Sequence, residues 1–330
     1  CRAVARHVNR EARVRPRLDQ KFDPDGKTFE DFYYMYWVRL WMDAKLTEGW
    51  FFTTRLSADG PAGFIGKFGE GTYGGTDGWS DNQAVHGGGR GVVRFTELYF
   101  GRKTKNFGYV MGILPFNALA NPEYDLHFYP LSRSDLPYLI LNSNSAPGFR
   151  AYHYLGKAKL QAAVTVDNNT GNRFDNDIQD QYTGFLRFTA KMGPVSLQPT
   201  LIKTVSSKNQ AAPLTGGINL GLPLAADISL TAGMHLTQQN TEAGGIYNGY
   251  LMNGKITIPA GPGTFVCWAD LKSIDHDWRQ NRVVTSFFWF MYKYTVYSSE
   301  RGSFLLAPTY RRIDQNEGDV SYARNKFELT

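Results

Sequence analysis

Residues Phe32 to Ala58 read FYYMYWVRLWMDAKLTEGWFFTTRLSA, and their spacing decides the fold. Every even position from Phe32 to Leu46 is aromatic or apolar: Phe32, Tyr34, Tyr36, Val38, Leu40, Met42, Ala44 and Leu46. The odd positions carry Arg39, Asp43 and Lys45. A strict period of two predicts a β-strand with one face in an apolar medium and the other in a wetter one. Thr47-Glu48-Gly49 leaves room only for a tight turn, and a second alternating strand follows at once. There Phe52, Thr54, Leu56 and Ala58 share one face, with Thr53, Arg55 and Ser57 on the other. The first strand of this hairpin exceeds the roughly five or six residues usual in soluble sheets. It is long enough to cross a bilayer.

Composition alone points elsewhere. Mean hydropathy is −0.37 and the hydrophobic fraction 42%, values that suit a soluble protein. A membrane barrel also has low mean hydropathy, because lipid-facing residues alternate with lumen-facing ones. No stretch reaches the ~18 consecutive apolar residues that a transmembrane helix needs. The most apolar segment, Val283 to Tyr297, is interrupted by Thr285, Ser286 and Lys293. The N-terminal CRAVARHVNREARVRPR has no apolar core of an export signal, so the numbering is expected to start after processing or to omit residues. The two cysteines make no metal cluster. Cys267 alternates with Phe265, Ala269 and Leu271, which places it on a lipid face.

Alternation and turn residues predict about sixteen strands over the whole chain, all antiparallel. Short links fall at Thr47–Gly49, Arg102–Asn106, Gly156-Lys157, Met192–Pro194, Pro223–Ala226, Ala260–Gly263 and Ser298–Gly302. Longer links, at 21–29, 59–90, 116–147, 168–178, 206–212, 239–244, 275–281 and 314–318, alternate with them. Short turns on the periplasmic side, long loops outside and an even strand count describe a single transmembrane β-barrel, residues 1–330. Both termini then fall on the periplasmic side, where the last strand meets the first.

This pattern resembles the general porins of the bacterial outer membrane, over the whole length and without a diagnostic motif. The resemblance implies a passive diffusion channel for small hydrophilic solutes, no cofactor, outer-membrane lipid and lipopolysaccharide around the wall, and a homotrimer. One departure is the C-terminus: such barrels usually end on an aromatic residue, whereas this chain ends Phe327-Glu328-Leu329-Thr330. An alternative function is a barrel that sleeves a partner protein, such as an outer-membrane cytochrome.

Other chemistry finds little support. Gly69 to Gly74, GEGTYG, matches a nucleotide-binding spacing, but no strand–helix unit surrounds it and it lies in the glycine-rich loop 59–90. Asp167, Asn169, Asp175, Asn176 and Asp177 lack the spacing of a calcium loop, and Asp275-His276-Asp277 has no second histidine nearby. His235 shares a face with Ser229 and Thr231, as a polar lumen would also place it, and the histidines are otherwise scattered. No enzyme is expected. The basic residues alternate with apolar ones instead of forming a nucleic-acid patch.

The alternation assigns faces. Val38, Leu40, Leu160, Val164, Leu230 and Phe290 are predicted to face lipid. Arg13, Arg15, Arg17, Arg39, Arg55, Lys159 and Arg187 are predicted to line the pore. Arg13, Arg15 and Arg17 are expected to align with Arg39 and Arg55 as a ladder. Basic residues outnumber acidic ones on the inner faces by more than the chain's overall +6, which predicts a lean toward anions. The strand at Val283 to Tyr297 has bulky residues on both faces, Phe288 and Phe290 against Phe287, Trp289 and Met291, so either its inner assignment fails or it packs at a subunit contact. The loop 116–147 is too long for an ordinary connector and carries the apolar run Leu136 to Leu141. It is predicted to fold into the lumen, with Glu123 and Asp125 opposing the arginines. Deleting Asn121–Asp135 is therefore expected to raise single-channel conductance; equal conductance would remove the loop from the constriction.

Overall fold

The computed structural model describes residues 3–22, 24–57, 66–67, 93–115, 145–171, 178–206, 214–225, 227–240, 246–275, 282–300 and 302–330. They form one closed antiparallel β-barrel of sixteen strands. In chain order these are β1 (Ala3–Phe22), β2 (Thr28–Leu46), β3 (Trp50–Ser57), β4 (Arg94–Lys103), β5 (Phe107–Pro115) and β6 (Ser145–Leu155). There follow β7 (Ala158–Gly171), β8 (Ile178–Met192), β9 (Val195–Ser206), β10 (Leu214–Ala225) and β11 (Ile228–Asn240). The last are β12 (Ile246–Ala260), β13 (Gly263–Asp275), β14 (Arg282–Ser299), β15 and β16 (Val320–Leu329). β15 runs in two pieces, Gly302–Leu306 and Pro308–Glu317, on either side of Ala307. A two-residue ladder at Gly66–Lys67 also pairs with β2.

Each strand pairs with its neighbour in sequence, and β1 pairs with both β2 and β16. The closing ladder runs from Arg17 opposite Glu328 to Phe22 opposite Ala323. No helix is long and apolar enough to cross a membrane, and the only helical turn among the described residues is Thr47–Gly49. Links of two or three residues close one end of the barrel, between β2 and β3, β4 and β5, β6 and β7, and so on to β14 and β15. Gly156 and Gly261 take positive φ in two of these turns, a conformation that suits glycine.

A strand's side chains alternate between faces, so a closed barrel here has an apolar outer surface and an inner surface that carries the polar residues together with apolar clusters. Buried residues include Thr165, Thr183, Thr204, Arg187, Asn219, His235 and Lys326, all on the inner face. The outer face carries exposed Val8, Val14, Val38, Leu160, Val164, Leu186, Leu201, Met234, Phe288 and Phe290. Leu40 and Leu230 lie on that outer face, half-buried by neighbours. Large apolar side chains that remain uncovered all round a barrel are what a lipid-facing wall requires. Cys267 is a free thiol, half-exposed on the same outer face.

Several strands run into the links expected from the sequence, as β7 does to Gly171 and β10 to Ala225. The loop expected at 314–318 is strand up to Glu317, with Gly318-Asp319 as the turn. Asp314 and Asn316 read as loop because they are polar, yet both are paired on each side, Asp314 with Ser286 and Ala323. The expected loop 116–147 gives its last three residues, Ser145 to Pro147, to β6. Most of the segments 59–90 and 116–147, including Glu123 and Asp125, lie outside the described residues.

β14 is one strand whose inner face is apolar. Phe287 and Met291 are buried there, Phe287 against Ile313, and Met291 within a cluster of Val266, Trp268 and Ala307. The outer Phe288 and Phe290 stack at 6.2 Å and stay exposed. Bulk on both faces therefore reflects an aromatic patch on the inner wall, not a failure of the alternation.

Depth should decide what a charge costs on the outer face. Val164→Arg and Leu186→Arg, in the middle of β7 and β8, are expected to lower folding stability in lipid vesicles by about 2–4 kcal/mol, whereas Leu230→Arg beside a short turn should cost about 0–1 kcal/mol. Equal cost at the three sites would contradict this assignment of depth.

Candidate functional site

The inner wall carries two groups of charged and aromatic side chains, on opposite arcs of the barrel. The first follows the register across five strand pairs. Lys255 lies opposite Trp268, Trp268 opposite Trp289, Trp289 opposite Arg311, Arg311 opposite Lys326, and Lys326 opposite Asp19. Side chains directly opposite on one face come close enough to pack. Here they stack: the Lys255 ammonium sits 4.6 Å from the Trp268 ring, the two indoles lie 4.4 Å apart at 23°, and the Arg311 guanidinium is 4.0 Å over Trp289. The result is a cation–indole–indole–cation column along the wall.

This column runs into the closing seam. The buried Glu328 carboxylate forms ion pairs with Arg15 at 3.1 Å and Arg311 at 3.2 Å, and also with Arg17. Arg15 donates through Nε to the Thr330 hydroxyl at 2.7 Å. One step away, Arg324 forms a two-pronged pair with Asp19, its Nε at 2.6 Å. Thr330 and Ala307 exchange backbone hydrogen bonds of 2.6 and 3.1 Å, tying the end of β16 to the break in β15.

The second group lies on β3 to β9. Arg55 pairs with Glu97 at 2.7 Å and donates to Thr96 at 2.6 Å. Thr96 and Glu97 are adjacent in sequence yet both reach Arg55, because a bulge between Arg55 and Leu56 shifts the register. Towards the short turns, Lys159 lies 4.8 Å from the Tyr152 ring and 5.7 Å from Tyr154, and Lys103 lies 5.8 Å from Tyr154. Arg187 lies 4.4 Å over Phe185 and donates to Thr200 at 3.3 Å.

The five arginines expected to align, Arg13, Arg15, Arg17, Arg39 and Arg55, therefore do not form one ladder. Arg15 and Arg17 turn to the seam and Glu328; Arg13 pairs with Glu11. Arg39 stands opposite Ser57 and Glu11, half-buried, and Arg55 is held by Glu97. Lys159 and Arg187 sit on the opposite arc. The reason is register: a row across a tilted barrel cannot be drawn from parity alone. Trp268, Tyr152, Tyr154 and Lys103 went unremarked in the sequence, and Trp289 was noted only for its bulk. Two of their contacts were nevertheless readable. The turn at 156–157 sets Tyr154 opposite Lys159, and the turn at 261–262 sets Lys255 opposite Trp268.

No protein-family model matches the chain, and no curated protein is similar to it in sequence. Its architecture is close to several solved structures. The trimer form of OmpT, an outer-membrane protein of Vibrio cholerae, aligns with TM-score 0.58 at 9% identity, covering 99% of this chain and 100% of that one. The anion-selective porin of Comamonas acidovorans gives 0.54 at 11%, covering 97% and 99%. The outer-membrane channel DcaP of Acinetobacter baumannii gives 0.56 at 11%, covering 97% of each. The chain has the porin fold. At such identities it is the fold alone that is shared, over nearly the full length of both chains.

The Glu328 cluster should matter to the closed wall. Neutralising the carboxylate on which three buried arginines converge leaves like charges together, and breaking a buried pair typically costs about 3–5 kcal/mol. Glu328→Gln is expected to lower the unfolding temperature of the purified barrel in detergent, with Glu328→Asp intermediate. Unchanged unfolding of Glu328→Gln would mean that the cluster does not hold the seam.

Proposed function

We propose that this chain is a passive diffusion channel of the bacterial outer membrane that favours small anions. The observation that carries this reading is how its inner cations are held. Lys103, Lys159 and Lys255 all lie against neutral aromatic rings. A ring fixes a cation in place without cancelling its charge, whereas a carboxylate does both. Cations held this way raise the local concentration of anions in a water-filled passage, and passage itself needs no cofactor and no covalent step.

The exposed apolar exterior supports a setting in outer-membrane lipid, and the trimer form of the Vibrio OmpT supports a homotrimer. The name of the Comamonas protein, an anion-selective porin, supports the anion lean. A barrel that sleeves a partner protein would not conduct when purified alone.

In a KCl gradient across a planar bilayer, the reversal potential is expected to favour Cl⁻, more strongly at ~0.1 M salt, where the screening length is about 10 Å, than at ~1 M, where it is about 3 Å. Replacing Arg39 and Lys255 together by Gln should move the reversal potential toward zero. A channel that prefers K⁺ at low salt would overturn the reading.

A further inference from the structure

The short-turn end of β4 to β8 gathers four cations around two phenols. Lys103 is the last residue of β4, Tyr154 stands one residue from the β6–β7 turn, and Lys159 is the second residue of β7. Register puts Tyr154 opposite Lys159, Tyr152 opposite Gln161, and Gln161 opposite Arg187. Arg150, opposite Ala163, completes the next level. The two tyrosine rings meet edge to face at 5.6 Å, and the Lys159 ammonium lies near both.

Gly108 makes the arrangement fit. Tyr152 faces it across the β5–β6 ladder, and a Cβ at 108 would come within 2.3 Å of the Tyr152 ring. The absent side chain lets the ring lie on the wall, and the ring in turn seats Lys159. The contacts holding the other cations include a ring, a hydroxyl and a backbone carbonyl. Arg187 uses Phe185 and Thr200, and Arg150 donates to the Pro115 carbonyl at 2.9 Å. The charges that act most on Lys159 are Arg150, Arg187 and Lys103, all cations. Glu97, the acid that acts on Arg150, is paired with Arg55.

We propose that Lys103, Arg150, Lys159 and Arg187, with the Tyr152 and Tyr154 hydroxyls, form a subsite for compact multivalent oxyanions of the sulfate and hydrogen-phosphate class. This rests on the reading of the chain as an anion channel and names the solute class that one part of its wall selects. Clustered like charges repel, and an anion between them relieves that repulsion. The Coulomb gain grows in proportion to the anion's charge, so a dianion gains about twice what Cl⁻ gains at the same distance. Several ammonium, guanidinium and phenol donors suit an oxyanion, whose oxygens accept several hydrogen bonds at once. Lys103 is exposed and Lys159 and Tyr154 are half-buried, so the group can be reached from the short-turn mouth.

The test is block of Cl⁻ current by sulfate in a planar bilayer, each variant normalised to its own sulfate-free current, with KCl of matched ionic strength as control. Wild type should be blocked at millimolar sulfate, and more strongly from one side than the other. Lys103→Gln with Lys159→Gln should raise the half-blocking concentration at least tenfold, and the corresponding double arginine variant should keep the block. Gly108→Ala retains every charge but displaces Tyr152, so it should weaken the block as well. An anion-selective wild type without sulfate block, or with block that survives Lys103→Gln and Lys159→Gln, overturns the subsite alone. A wild type that selects cations overturns the underlying channel reading, and the subsite with it.

Discussion

In hydrocarbon no water is present to satisfy a backbone N–H or C=O, so a sheet survives there only if it has no edge. Everything else in this chain follows from meeting that condition with sixteen strands. Fifteen of the pairings are between sequence neighbours and need only a turn or loop. The sixteenth brings β1 to β16, some 300 residues apart, and no local turn can set its register. That is where the densest buried charge lies. Glu328 stands opposite Arg17 in the ladder, with Arg15 and Arg311 converging on it and Asp19 paired to Arg324 one step above. A slip of one residue would turn Glu328 towards lipid and leave the arginines together, so the cluster penalises wrong closure more than it rewards the right one.

Once the wall is closed, alternation divides the sequence into two solvents. This is why so much of the fold is legible in the residues. Val164 and Thr165 are neighbours, yet one is 52% exposed on the outer face and the other wholly buried on the inner. Tight turns carry further information, because a two-residue link fixes which residues stand opposite. Tyr154 with Lys159, and Lys255 with Trp268, could be counted from the turns at 156–157 and 261–262.

What the sequence conceals is set by longer connections and by breaks in the period. The pairing of Trp268 with Trp289 crosses the six-residue link between β13 and β14, whose length does not fix a register. The bulge that brings both Thr96 and Glu97 to Arg55 inserts a residue into the count, so parity alone misplaces one of them. Polar residues on the outer face near a strand end mislead differently: Asp314 and Asn316 read as loop although they are fully paired. Phe287, Trp289 and Met291 are the instructive case. Their apolar character seemed to contradict an inner position, yet Phe287 and Met291 pack in apolar clusters of the inner wall and Trp289 carries the Arg311 guanidinium.

The pairing of cations with rings answers a problem that any charged passage faces. A lysine or arginine on a narrow wall must be held still, since a mobile side chain both blocks the passage and smears its charge. A carboxylate partner holds it but removes the field that attracts an anion, as Glu97 does for Arg55 and Asp19 for Arg324. An indole or phenol face offers attraction from its quadrupole and a flat surface, while carrying no net charge. The open wall uses both kinds of partner, a carboxylate for Arg55 and a ring for Lys159 and Lys255. At the seam, where strands must lock, arginines converge on Glu328. Along the wall Lys255 lies on Trp268 and Lys159 on Tyr152, and Arg311 bridges the two arrangements with Trp289 beneath its guanidinium and Glu328 at its tip.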